Sequence, residues 1–287
     1  MQVFKEKEAA RRWMFQQRCA VDAIGLVPTM GALHEGHLSL VRRSVRRCQA
    51  TAASIFVNPT QFAPDEDLAR YPRTLESDLE MLAGCGVDAV FVPDTEEMYS
   101  SGFSTYVQPP KVALRLEGKH RPDHFRGVTT VVAKLFHVLP CTHAFFGHKD
   151  YQQACVLEHM NRELDFGVDI EVCPTVRDAD GLALSSRNRY LSGDQRSRAL
   201  SLIRALRQAA ERYQNGERST AALERGMRAV LQAGGINRID YATVVDADNL
   251  TSHSTVPEQP IALIAAHLGG TRLIDNLRLD TDSLATA

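Results

Sequence analysis

No apolar run in the sequence reaches the ~18 residues that a membrane-spanning helix needs, so no membrane partner is expected. An excess of one charge is missing too. Lys plus Arg total 33 against 35 Asp plus Glu, a net charge of −2. A general nucleic-acid binder needs a basic excess, so nucleic acid is not an expected partner, although one small anion in a locally positive pocket is compatible with that balance. The six cysteines (Cys19, Cys48, Cys85, Cys141, Cys155, Cys173) are scattered without a C-x-x-C pair, which argues against a disulfide framework. Residues 1–15 mix Lys5, Glu6, Lys7, Glu8, Arg11 and Arg12 and lack the apolar centre of a signal peptide. Free thiols in such a chain fit a reducing cytoplasm. Internal repeats and low-complexity tracts are also lacking. What is present is ordinary: 44% apolar and 24% charged residues over 287 positions. That is one large or two modest domains with ample core.

The first ~175 residues alternate short β-rich runs with helical patterns, as a parallel sheet covered by helices requires. Strands are expected at 23–27, 52–57, 88–92, 142–146 and 170–173, the first ending at Pro28. Leu38, Val41, Val45 and Cys48 share one helix face. Arg42, Arg43, Arg46 and Arg47 are either the solvated side of that helix or a nucleic-acid patch, and the first reading is favoured. Thr74 is a candidate cap for a helix carrying Leu75, Leu79 and Leu82. Beyond Arg187 the pattern changes. A capping box at Ser192 and Gln195 opens a helix that Asn215-Gly216 stops, and a second helix ends at Gly234-Gly235. Strand-like runs follow at 239–245, 261–266 and 272–274. The expected architecture is therefore α/β, a Rossmann-like parallel sheet with helices on both faces (residues 1–178), followed by a smaller α+β C-terminal domain (179–287).

Residues 26–37 read L-V-P-T-M-G-A-L-H-E-G-H. A strand, a glycine-containing turn and a helix start follow one another. His34 and His37 stand three apart in the first turn, where N–H groups and the helix dipole favour an anion. Such a loop suits a nucleotide. Half of a zinc site and plain surface histidines are the other readings, and no matching ligand pair stands elsewhere in the sequence. The string L-S-S-R-N at 184–188 adds two hydroxyls and a guanidinium that can fork onto phosphate.

The two motifs together resemble the signature of the nucleotidylyltransferase superfamily. Further strings sharpen the resemblance: P-T-M-G (28–31), N-P-T-Q-F (58–62), Y-P-R-T (71–74), F-G-H-K-D-Y-Q-Q (146–153) and R-L-I-D-N (272–276). With them, nearly the whole chain resembles the pantothenate synthetase (pantoate–β-alanine ligase) family.

That resemblance implies an ATP-dependent ligase joining (R)-pantoate to β-alanine, with Mg²⁺ as cofactor, a bound pantoyl adenylate, and AMP and pyrophosphate as products. It implies a homodimer and a small domain that acts as a lid. The pantoate carboxylate, with a pKa near ~4, is already ionised and needs no general base. By motif position, His34, His37, Lys149 and Arg187 are the implied catalytic residues. The ATP contacts are Met30, Gly31, Ala32, Leu33, His34, Glu35, Gly36 and His37, then Gly147, His148, Lys149 and Asp150, then Val176, and then Leu184, Ser185, Ser186 and Arg187. Gln61 and Gln153 are implied pantoate contacts, Gln61 also meeting β-alanine, and Asp78 is the metal candidate. Without the resemblance, Gln61 and Gln153 read as ordinary loop residues, Met30 as core filler, Lys149-Asp150 as a surface ion pair, and Asp78 as a charge suited to its helix's N-terminal half. Two departures stand out: His148 replaces a usual Glu, and Asp123 replaces a frequent Gly that marks a left-handed turn position. A nucleotidylyltransferase releasing an adenylated product and a non-catalytic nucleotide- or RNA-binding protein on the same fold are the alternatives.

Overall fold

A computed structural model describes residues 1–64 and 66–281. The described residues form two compact units, residues 1–148 with 152–174, and residues 149–151 with 175–281.

The first unit is built on strands β1 (Gln2–Phe4), β2 (Ile24–Thr29), β3 (Ala50–Ile55), β4 (Ala89–Phe91), β5 (His143–Gly147) and β6 (Asp169–Cys173). All pairings are parallel, in the order β1-β4-β3-β2-β5-β6. Apart from the added edge strand β1, this is the doubly wound order that reverses direction between β2 and β5. The helices are α1 (Lys7–Ala20), α2 (Glu35–Arg47), α3 (Leu75–Gly84), the short α4 (Thr95–Met98) and α5 (Glu117–His120), α6 (His124–Val138) and α7 (Tyr151–Glu163), whose first residue falls in the second unit. Strands β3 and β4 are buried along their whole length, as their short apolar runs require. Val27, Val41, Ala53, Leu82, Val90 and Phe145 form the core between sheet and helices.

Pro28 does not end β2, which runs on to Thr29. The Phe56 N–H donates to the Thr29 carbonyl, so the preceding Pro28 peptide faces the other way, toward β5. There β2 has already parted from β5, whose pairing covers only Gly25 and Leu26. A residue without an N–H costs nothing at that point, and the carboxyl ends of strands flanking such a reversal are where doubly wound sheets bind their ligands. Strand β1 is an addition to the expected set: its charged flanks mask a three-residue edge strand paired with β4. The arginine side of α2 is the solvated face, with Arg43, Arg46 and Arg47 exposed, Arg42 paired with Glu35 and Arg43 with Glu171.

The second unit carries helices α8 (Gly193–Ala199), α9 (Ser201–Gln214) and α10 (Thr220–Ala233) and the strands β7 (Arg238–Asp246), β8 (Pro260–Leu268) and β9 (Thr271–Arg278). The strands form an antiparallel sheet in the order β7-β8-β9. The Ser192/Gln195 capping box starts α8 as expected. Leu202, Leu206, Leu223, Met227 and Leu231 face Val244, Ile264 and Leu273 in a separate core. Helix–sheet α+β packing in this unit matches the expected class.

Candidate active site

The loop after β2 is locked by its own histidines. His34 is the N-cap of α2, with extended backbone, and its Nδ1 accepts the Gly36 N–H at 3.2 Å. His37 Nδ1 accepts the His34 N–H at 3.3 Å, and the rings lie 4.1 Å apart. This is a capping box made by two imidazoles. Because each Nδ1 accepts, each neutral ring carries its proton on Nε2. The pair thereby turns two N–H donors away from the helix start. The N–H groups of His34, Gly36 and His37 are bonded within the turn itself.

The stretch upstream is braced from within the protein as well. Gly31 and Ala32 take left-handed backbone, φ +78° and +50°, which points successive N–H groups into one concavity of the kind that binds anions. The anion there is the chain's own Asp78. Its Oδ2 accepts the Ala32 N–H and its Oδ1 the Leu33 N–H, both at 2.9 Å, and Thr74 Oγ1 donates to Oδ1 at 3.1 Å. Asp78 is 1% exposed. Three donors around a buried carboxylate do not fit a Mg²⁺ ligand, so the expectation of metal at Asp78 gives way to a bracing role. Thr74 likewise spends its hydroxyl on Asp78 rather than on a helix cap. Among the described residues no group of three or more His, Cys, Asp or Glu is arranged to hold a metal ion.

Met30, half-buried, links this loop to Gln61, whose Nε2 lies 3.1 Å from the Met30 sulfur. Gln61 ends a 3-10 turn, Pro59–Gln61, capped by Asn58. Asn58 is 1% exposed and spends every polar atom inside the site. Its Oδ1 accepts from Thr60 and from the Tyr99 hydroxyl, while its Nδ2 donates to Gln61 Oε1 at 3.0 Å and to the Gly127 carbonyl. The Gln61 amide is thus held at both ends. The main-chain carbonyl of Gln61 is gripped by His124 Nδ1–H at 2.8 Å, and Arg121 donates to His124 Nε2 at 3.1 Å. Arg121 is itself forked onto Glu66 at 2.6 and 2.8 Å. Burial, reinforced by the Arg121 cation, pushes His124 down to about 4, so it stays neutral. Burial opposes ionisation of Glu66, yet the Arg121 pairing holds its carboxyl below the usual range.

Sequence reasoning missed Asn58, Arg121 and His124 as orienting groups; Asn58 stands inside a string noted above, and Arg121 and His124 flank the Asp123 departure. Asp123 has φ +67°, the left-handed position the departure from Gly implied. Gln153 lies half-buried on α7. Its neighbour Gln152 is buried and binds the carbonyls of Val112 and Arg115 and the N–H of Glu117. Gly147 is the last residue of β5, and His148 opens the 3-10 turn that follows it. Glu35 is exposed and paired with Arg42.

The remaining candidates belong to the second unit. Lys149 is half-buried and Asp150 exposed. Residues 176–184 form a hairpin, with Leu184 N–H donating to the Val176 carbonyl at 3.0 Å and Asp178 N–H to the Leu182 carbonyl at 2.8 Å. Beyond it Ser185 Oγ accepts the Arg187 N–H, capping the turn Ser186–Tyr190. Ser186 is buried and Arg187 half-buried. Burial also makes poor nucleophiles of two thiols: Cys141 is pushed up to about 12 and Cys173 to about 11.

A doubly wound sheet whose switch-point loop presents paired imidazole donors defines a nucleotide-binding α/β protein of the Rossmann type. The comparisons narrow this. Residues 2–278 match the family model for pantoate-beta-alanine ligase, and the chain belongs to that family. It is 50% identical to the pantothenate synthetase of Moorella thermoacetica over 98% of this chain and 100% of that one. The Rhodopirellula baltica pantothenate synthetase is also 50% identical, over 97% and 99% of the two chains. The crystal structure of pantothenate synthetase from Thermus thermophilus superposes with a TM-score of 0.91 at 43% identity, covering 97% of this chain and 99% of that chain. The Francisella tularensis pantoate-beta-alanine ligase, complexed with beta-gamma ATP and beta-alanine, gives 0.81 at 30% identity, covering 98% and 99%.

Proposed function

We propose that the protein condenses (R)-pantoate with β-alanine at the expense of ATP, through a bound pantoyl adenylate, releasing AMP and pyrophosphate. The observation that carries this is the interlocked His34–His37 pair at the carboxyl end of β2, in a chain matching the ligase family over residues 2–278. Two Nε2–H donors at fixed spacing suit the oxygens of the α-phosphate and the departing pyrophosphate. Lys149 and Arg187 add positive charge to the same anion. The rest of Met30–His37, Gly147, His148, Asp150, Val176 and Leu184–Ser186 make up the ATP contacts. Gln61 orients the pantoate carboxylate and hydroxyl and receives β-alanine, and Gln153 is the second pantoate amide. An amide donates and accepts at once, which suits a hydroxy acid.

In the first step the ionised carboxylate attacks the α-phosphorus, and its neighbours only position it and stabilise charge. In the second the amine attacks the acyl carbon and AMP leaves. Mg²⁺ enters as the counter-ion of ATP, with phosphate and water oxygens as its ligands. No residue of this chain is assigned to it and no step depends on one. Residues 1–178 carry most of the substrate contacts, and residues 179–287, which supply Leu184–Arg187, serve as the lid that keeps water from the adenylate. The enzyme works as a homodimer in the cytoplasm. No helix among the described residues is long and apolar enough to cross a membrane.

The test is AMP and pyrophosphate release with ATP, Mg²⁺ and (R)-pantoate, with and without β-alanine. Turnover that needs both substrates supports the ligase. Release of an adenylated product without need of an amine would replace it with a nucleotidylyltransferase.

A further inference from the structure

The string R-L-I-D-N at 272–276 has no part in the chemistry above, yet its last two residues are 3% exposed and polar. Asp275 receives the guanidinium fork of Arg177, Nη1 to Oδ2 at 2.7 Å and Nη2 to Oδ1 at 2.9 Å. Arg177 also donates to the carbonyls of Gly181 and Asn276. Asn276 gives its own N–H to Asp275 Oδ1 and sends its Nδ2 to the Lys149 carbonyl at 2.9 Å. Lys149 is 127 residues away in sequence.

We propose that Asp275, Asn276 and Arg177 are positioning residues for ATP, one anchor on β9 that holds both nucleotide-contacting stretches of the smaller unit. It rests on the assignment of Lys149, Val176 and Leu184–Arg187 to ATP made above. Arg177 follows Val176 directly and pairs with Ala183 across the hairpin. Pinning Arg177 therefore fixes the Val176 main chain on one arm. The other arm delivers Leu184–Arg187, with Asn188 Nδ2 closing onto the Ala183 carbonyl at 3.0 Å. Asn276, one residue along the same strand, holds Lys149 by its main chain. Strand β9 is a rigid mount, paired with β8 through eight consecutive positions.

A buried ion pair is a poor choice for stability alone, since well-packed apolar residues do as well or better. Its worth lies in direction: a planar fork fixes the orientation of what carries it. The Arg177 and Asp275 side chains bind one another, Arg177 also binds the hairpin carbonyl of Gly181, and the Asn276 side chain binds the main chain of Lys149. A purely structural pair would have no reason to reach those two segments and couple them.

The test uses the full chain. Asn276→Asp keeps size but sets an acceptor against the Lys149 carbonyl. Arg177→Lys keeps charge but loses the fork. ATP binding is measured by calorimetry, and pantoate-dependent exchange of labelled pyrophosphate into ATP gives KM values. Both variants are expected to weaken ATP about tenfold in Kd and KM, the scale of one lost hydrogen bond, with KM for pantoate within about twofold. Lowered melting temperature with ATP Kd and KM unchanged would overturn the proposal and leave the triad a scaffold. Should N276D not fold, Asn276→Gln retains a donor on a longer arm and is judged by the same shift in ATP affinity. Wild-type protein that binds ATP without pantoate-dependent exchange would overturn the ligase reading instead, and the calorimetric comparison would still decide the anchor.

Discussion

Replacing Asp78 with Asn separates bracing from metal binding. The substitution keeps the side chain's shape and removes its charge. In the native loop the two carboxylate oxygens each accept one N–H, from Ala32 and Leu33, at 2.9 Å. An amide can accept only one of these and turns its own NH₂ toward the other. One charge-assisted bond, worth about 1.5–3 kcal/mol, is lost, and a buried donor is left facing a donor. Ala32 is moreover held at φ +50°, a backbone state that costs a residue with a Cβ about 1 kcal/mol and persists only while its surroundings enforce it. Together these place the loss near 2–4 kcal/mol, or a fall in melting temperature of about 5–15 °C for a chain of this size. The loop leads straight into His34, so kcat should fall by about tenfold or more, as small misplacements of catalytic donors do. The assay is a Mg²⁺ titration of AMP release beside a thermal melt. The half-saturating Mg²⁺ concentration should stay within about twofold of wild type. A variant with unchanged melting temperature that regains full turnover at high Mg²⁺ would refute the reasoning and return Asp78 to the metal.

Three other outcomes follow from the same geometry. His124 is held at about 4 against an ordinary 6.5. Between those values the unfolded chain takes up a proton that the folded chain refuses, so stability is full above pH 6.5 and declines as pH falls, by about 3 kcal/mol in all near pH 4; His124→Asn should flatten that part of a melting-temperature profile, and a parallel profile would contradict the assignment. Gly127→Ala would set a Cβ 2.3 Å from the Thr60 carbonyl oxygen and 2.7 Å from Gln61 Cα, so the turn under Gln61 must shift; a stability loss of about 1–3 kcal/mol with a raised KM for pantoate is expected, and unchanged kinetics would show that Gln61 does not depend on that contact. Asp123→Gly relieves a left-handed residue whose ion pair with Arg126 is exposed and weak. A gain of about 0.5 kcal/mol by calorimetry, with activity unchanged, is the expected result, and a loss would show that the Arg126 pair outweighs the backbone term.

The inner strands of the first unit were legible because burial on both faces leaves little choice but Val, Ile, Ala and Phe, and a short apolar run closed by Pro or Gly is hard to read otherwise. The capping box at Ser192 and Gln195 was legible because its partners stand three residues apart. Strand β1 was not, since three residues among charges carry no periodicity. Pro28 misled for an instructive reason. A proline is read as a stop, but here it sits where β2 has lost its neighbour on one side, and there the missing N–H has no partner to disappoint.

The site divides along the same line. Motifs within one turn, such as His34 and His37, could be read as a unit because the helix itself brings them together. The groups that aim them could not. Asp78 lies 45 residues from Leu33, His124 63 residues from Gln61, and Asn276 127 from Lys149. In each of these contacts a side chain binds main-chain N–H or C=O of the residue it positions, so the identity of that residue carries no trace of the bond. A spacing rule cannot find such pairs, and motif position misreads them: Asp78 was the metal candidate by its place in a motif, whereas its partners are the Thr74 hydroxyl and two peptide N–H groups that any sequence could supply. Where the chain bends Gly31 and Ala32 into the left-handed region, it creates an anion site and fills it from within. The loop is therefore set before any nucleotide arrives, and the binding energy of ATP need not be spent on ordering it.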